Sequence, residues 1–209
     1  MDSSEPTVPG EVWNARIREH LILSAELKRQ TAAIASESIL AAANLLVNCF
    51  RSANKVLICG NGGSAADSQH MASELLNRLS VSLQRPGFPA IALTTDTSFL
   101  TSYANDVGYE GVFERQVLAL GAPKDVLIGI STSGNSPNVL KAVIAARQKG
   151  MRTIGLSGDA GQLMTVVDQA VIVPSQDTQF IQETLLSIEH VICSVVEEVL
   201  CQVPTKPAK

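Results

Sequence analysis

The amino-acid sequence predicts an α/β fold: a three-layer αβα sandwich around a five-stranded parallel sheet, preceded by N-terminal helices. Three observations carry this. Short apolar runs alternate with segments of helical periodicity, the pattern of successive βαβ units. Two glycine- and serine-rich loops each follow a strand candidate and lead into a helix, where open parallel sheets bind ligands. The 209 residues suffice for one such domain with a substantial core.

The elements follow in order. Residues 1–9 are polar, contain two prolines and read as a flexible tail. From Glu11 to about Arg51 the pattern is helical, with Ile17, Leu21 and Ala25 spaced by four and Ile39, Ala43 and Leu46 by four and three. Two helices are predicted, with a break near Ser36. They precede every strand, so residues 10–52 form an addition whose apolar stripes call for another copy of the chain. Lys55–Cys59 is the first strand, followed by Gly-Asn-Gly-Gly-Ser and a helix from about Ser64 to Leu79. Pro89–Leu93 is the second strand, and helices are expected at Asp96–Asn105 and Glu110–Leu120. Asp125–Ile130 is the third strand, followed by a Ser/Gly loop and a helix from Pro137 to Lys149, with proline in its first turn and Gly150 at its C-terminal cap. Arg152–Leu156 and Ala170–Val173 are the last strands, and the final helix spans Thr178–Cys201. Residues 53–203 thus make the α/β domain, one structural unit with the N-terminal helices, and 204–209 a second flexible tail.

Composition narrows the function. Charged residues make up only 17% of the chain, against roughly 25% in an average domain, so much surface is expected to be buried between copies. The net charge of −4 gives no electrostatic reason to expect nucleic acid or an anionic membrane. The N-terminus lacks the basic and apolar stretches of a signal peptide, and no apolar run reaches the roughly 18 residues of a membrane span. Cys49, Cys59, Cys193 and Cys201 are scattered without a CxxC spacing, as in a reduced cytoplasmic protein.

Gly60-Asn61-Gly62-Gly63-Ser64 and Ser131-Thr132-Ser133-Gly134-Asn135-Ser136 each end at a helix N-terminus, where free N–H groups and the helix dipole favour an anion. Neither contains Lys or Arg, which suits a phosphate monoester held by neutral donors. Either loop alone reads equally well as an ordinary capped turn. Two of them on different strands of one sheet favour a site. The Gly60-x-Gly62-x-x-Ala65 spacing is a weak dinucleotide fingerprint, since the first acid after the second strand is Asp96, too far along. No Walker lysine follows, so no nucleotide cofactor is expected. His70 and Glu74, four apart, share a helix face and could hold a metal, supply a base or form a solvated pair. The last helix carries Gln182, Glu183, Glu189 and His190 among apolar neighbours, and His190 also reads as a core histidine.

These residues together resemble the sugar isomerase (SIS) domain family, from about Glu11 to Leu200. The resemblance rests on Cys-Gly-Asn-Gly-Gly-Ser-Ala-Ala-Asp at 59–67, His70-x-x-x-Glu74-Leu75, Thr95-Asp96, Asn105-Asp106, the 129–136 loop, and Ile181-Gln182-Glu183 followed by His190. It is strongest to those members that isomerise phosphorylated heptoses. The resemblance implies conversion of D-sedoheptulose 7-phosphate to D-glycero-D-manno-heptose 7-phosphate, in a cytoplasmic homotetramer that starts the route to activated heptoses for lipopolysaccharide core or related glycans. It implies substrate contacts from Asn61, Gly62, Gly63, Ser64, Thr95 and Asp96, and from Ser131, Thr132, Ser133 and Ser136, with Glu74 and Gln182 also at the sugar. It implies one zinc ion per subunit bound by His70, Glu74, Gln182 and His190. Two positions depart from the family's pattern: Phe180 where arginine is common, and Leu185 where histidine is frequent. A non-catalytic SIS module, a sugar-phosphate sensor or a tetrameric adaptor for a replication initiator, is the alternative.

Moving a carbonyl from C2 to C1 needs a base beside those carbons and an acid or metal at the oxygens. Glu74 is expected as the base and His190 as its acid–base partner. A zinc-bound carboxylate is a weaker base, so Glu74 would alternate between two roles. Gln182 and His190 stand about 12 Å apart along one helix. Either Gln182 precedes the first helical turn, or one of the pair reaches the metal from a neighbouring chain.

Overall fold

The computed structural model describes residues 10–201; both expected tails lie outside them. Five strands, β1 (Val56–Gly60), β2 (Ala90–Ala92), β3 (Val126–Ser131), β4 (Arg152–Ser157) and β5 (Gln169–Ile172), form one sheet in the order β2-β1-β3-β4-β5. All four pairings are parallel. The helices are α1 (Gly10–Arg51), α2 (Gly63–Leu76), α3 (Thr97–Asp106), α4 (Val112–Leu120), α5 (Pro137–Gln148), α6 (Leu163–Val166) and α7 (Thr178–Cys201).

Strand alternation divides the core into two layers. Val56, Ile58, Val126, Ile128 and Ile130 face α1, α2 and α7. Leu57, Cys59 and Leu127 face α4, α5 and α6. The central strands are buried on both faces, which is why they read as unbroken apolar runs rather than alternating ones.

Three local expectations need correction. The break near Ser36 does not exist: α1 is one helix of 42 residues, and the Ser36 hydroxyl bonds back to the Ala32 carbonyl within it. The helix expected to reach Leu79 stops at Leu76, and the backbone N–H groups of Leu79 and Ser80 turn to the Glu197 carboxylate. Residues 109–111 form a separate 3-10 turn ahead of α4. The single turn α6, anchored by buried Leu163, is too short to show periodicity.

α1 also meets a length-and-composition test for a membrane span that the reading of the sequence did not expect, with a window of mean hydropathy 1.5. A third of that window is buried in the protein. From Ser24 onward its inward positions pack on the body, while residues 10–23 contain no buried position. Val12, Trp13, Ile17, Leu21, Ile22 and Leu23 are exposed there.

Candidate active site

The chain leaves β1, adds β2 on one side, then crosses to place β3 on the other. β1 and β3 are therefore neighbours whose following connections run to opposite faces, the switch point where such sheets bind ligands. Gly60 pairs with Ile130 in register, and Ser131 with Ser157, so the two loops open side by side.

The loop after β3 is a cup of hydroxyls. Ser131 Oγ lies 3.0 Å from Ser136 Oγ and 3.5 Å from Ser133 Oγ. Ser133 Oγ accepts a bond from the Asn135 N–H. Behind it, the segment after β4 braces the loop: Gly158 N–H donates to Thr132 O, Leu163 N–H to Gly134 O, and Gln162 N–H to Asn135 Oδ1. This brace is absent from the reading of the sequence; its signal is the glycine pair at 158 and 161.

The loop after β1 is held differently. Asn61 and Asn138 exchange reciprocal amide bonds of 2.8 and 2.9 Å, and Tyr109 Oη donates to Asn61 Oδ1 at 3.0 Å. Asn138 is buried in the first turn of α5. The Asn61 side chain thus ties the two loops together. Gly63 lies under the Gln182 amide, close enough that a Cβ would fall 2.4 Å from Gln182 Nε2. At the end of β2, Thr95 Oγ1 donates to Ala92 O, and Asp96 caps α3 through the Phe99 N–H.

α2 and α7 bring three side chains together. His70 Nε2 lies 2.8 Å from His190 Nε2 and 3.8 Å from Glu74 Oε1, and donor atoms of all three fit within 4.8 Å of one another. They come from one chain, which removes the need for a neighbouring subunit to unite Glu74 with His190. Mixing inactive Glu74→Gln and His190→Ala chains under subunit exchange is accordingly expected to restore no turnover; recovery would place the two residues in different subunits. Gln182 does not precede the first turn of α7. Its Nε2 faces Asp67, 3.3 and 3.2 Å from the two carboxylate oxygens.

The Ile181-Gln182-Glu183 triplet splits three ways around α7. Ile181 enters the core, Gln182 turns to α2, and Glu183 turns to α1. Ser24 Oγ and His20 Nε2 meet the Glu183 carboxylate at 2.5 and 2.8 Å, and these bonds, Ser24's foremost, hold its pKa below the usual carboxylate value. Phe180 packs against the His20 ring with centroids 4.7 Å apart and the planes tilted by 34°, and Leu185 is fully buried in the core. Both departures from the family's pattern therefore have apolar or aromatic partners.

Burial acts strongly on the acids nearby. It raises Asp67, against the opposing Gln182 bond and the neighbouring His70. Burial first, and the Asp67 charge second, push Glu189 up to about 8. Among the described residues neither Glu189 oxygen has a hydrogen-bond partner, so the neutral acid is favoured at neutral pH. Cys59, just before the first loop, is pushed to about 12 by burial and is no nucleophile.

Residues 23–158 match the SIS domain family. The chain is 47% identical over 184 residues to the phosphoheptose isomerase of Trichlorobacter lovleyi, covering 88% of this chain and 91% of that protein. It is 47% identical over 193 residues to the phosphoheptose isomerase of Roseiflexus sp., covering 92% and 97%. The solved structure of the Neisseria gonorrhoeae phosphoheptose isomerase superposes with a TM-score of 0.84 at 40% identity, over 89% of this chain and 99% of that one.

Proposed function

From the premise that this chain belongs to the SIS domain family, we propose that it is a phosphoheptose isomerase, converting D-sedoheptulose 7-phosphate to D-glycero-D-manno-heptose 7-phosphate. The observation that carries the chemistry is the convergence of His70, Glu74 and His190 beside two loops built for an anion.

The phosphate sits at the α5 N-terminus, among the hydroxyls and N–H groups of Ser131, Thr132, Ser133 and Ser136. That leaves the carbonyl end of the sugar for α2 and α7. Glu74 removes a proton from C1 while the C2 oxygen takes one from His190, giving an enediol. Glu74 returns its proton to C2, and the C1 hydroxyl gives its own back to His190, leaving an aldehyde at C1. No proton is gained or lost overall.

Zinc fits the donor set of two imidazoles and a carboxylate. His70, Glu74 and His190 would hold it, with Gln182 as a fourth ligand once its amide leaves Asp67. Holding zinc through the nitrogen that faces His70, His190 would have no proton to give there, and the bound zinc would act in its place at the C2 oxygen as a Lewis acid.

A cytoplasmic homotetramer is part of the proposal. The exposed apolar residues of α1 and the low charge fraction support burial against other copies, and the free cysteines suit a reducing compartment. Sedimentation should give an oligomer, and Ile17→Glu with Leu21→Glu should shift it to smaller species. An unchanged distribution would remove this face of α1 from the interface.

Turnover of sedoheptulose 7-phosphate, followed together with the zinc content of the purified protein, tests the function. Binding without turnover would make the chain a sugar-phosphate sensor or adaptor.

A further inference from the structure

α2 ends at Leu76, and its last carbonyls need partners in a buried setting. Arg85, from the irregular segment between α2 and β2, supplies them. Its Nη2 donates to Glu74 O at 2.7 Å, and its Nη1 to Leu75 O at 2.8 Å. Its Nε donates to Glu197 Oε1 on α7 at 2.8 Å. Glu197 also accepts the backbone N–H groups of Leu79 and Ser80. Both side chains are almost fully enclosed, at 1% and 3% exposure, and the guanidinium lies 4.1 Å over the Phe88 ring.

Burying an ion pair costs desolvation that apolar packing would avoid, so its use here asks for a reason other than stability. The reason is geometric. The guanidinium is a rigid planar fork, and three of its N–H directions are fixed at once on two helices. One of its acceptors is the carbonyl of Glu74 itself. Glu197 is seven residues beyond His190, about two helical turns along α7. The pair therefore joins the end of α2 that carries Glu74 to the helix that carries His190.

We infer that the buried Arg85–Glu197 pair is a positioning device that sets the Glu74 carboxylate against the His70 and His190 imidazoles. The inference rests on the isomerase reading. Among the described residues neither side chain makes a hydrogen bond or ion pair to the loop at 131–136, so loosening the pair should disturb the acid–base cluster and leave phosphate binding alone.

Two variants test it. Arg85→Lys keeps the charge beside Glu197 but cannot serve both carbonyls and the carboxylate together. Arg85→Met with Glu197→Leu removes the pair without stranding a buried charge. Zinc affinity of the metal-free protein, affinity for inorganic phosphate, kcat and KM are measured, with thermal melts to confirm folding. Expected are losses of about 10- to 100-fold in kcat and in zinc affinity, the range for groups that orient metal ligands. KM and phosphate affinity should stay within about twofold of the parent. Folded Arg85→Lys protein with parental kcat and zinc affinity would overturn the inference, and it decides alone if the double variant fails to fold. Failure of the parent to turn over sedoheptulose 7-phosphate would instead count against the isomerase reading, and the zinc comparison would still judge the pair.

Discussion

Replacing Glu74 with glutamine is expected to lower kcat about 10³-fold, within the range that general acid–base groups supply. The variant should fold. The Glu74 side chain is partly exposed and its contact with His70 Nε2 is long, 3.8 Å, so the neutral amide strands no tightly paired group. The Glu74 carbonyl still accepts from Arg85 because only the side chain changes. Substrate should still bind, since the hydroxyl cup of residues 131–136 is untouched. Proton exchange gives the direct readout. In deuterated water, a base working between C1 and C2 washes label into the sugar, and the variant should lose that exchange together with turnover. If turnover falls but label still enters at the parental rate, another residue removes the C1 proton. Near-normal turnover would rule Glu74 out as the base.

The second large effect is expected at Gly134. Its φ is +65°, a conformation that costs a residue with a Cβ about 1–2 kcal/mol. A Cβ there would also lie 2.3 Å from the Ala160 carbonyl oxygen, a backbone atom of the segment that braces the loop. Gly134→Ala should therefore push the loop and the brace apart, dispersing the hydroxyls of Ser131, Ser133 and Ser136. KM for the sugar phosphate should rise at least about tenfold, reporting lost substrate binding, while kcat changes less. Gly150→Ala is the internal control. Gly150 also has positive φ, +75°, but its Cβ position meets nothing closer than Pro123 Cβ at 3.6 Å, and it lies at the far end of α5 from the loops, so only the conformational cost applies. Equal KM effects in the two variants would show that contact with the 158–163 segment does not shape the phosphate cup.

The sequence shows the alternation of strands and helices because β1, β3 and β4 are buried along nearly their whole length and are therefore rich in apolar residues. It shows both candidate anion loops because two turns rich in glycine and serine recur at helix starts after different strands of one sheet. It does not show that α1 runs unbroken. Ser36 and its neighbours weaken the periodic signal, while packing on α7 keeps the helix whole and the Ser36 hydroxyl is accommodated by bonding back to the Ala32 carbonyl. Nor does it show what Asn61 does, since Asn138 and Tyr109 are distant in the chain.

By itself, then, the sequence determined the residue types of the site, their loops and helices, and the resemblance that names their chemistry. Those features are local, set by periodicity, capping and backbone freedom within a few residues. Tertiary structure alone decided the strand order that makes β1 and β3 neighbours, and hence that the two loops face one crevice. It alone decided that His70, Glu74 and His190 meet within one chain while Gln182 turns to Asp67. Separations of more than a hundred residues carry no periodic signal. They are closed by the burial of α2 and α7 against the same face of the sheet, and only the folded core fixes which side chains that burial brings together.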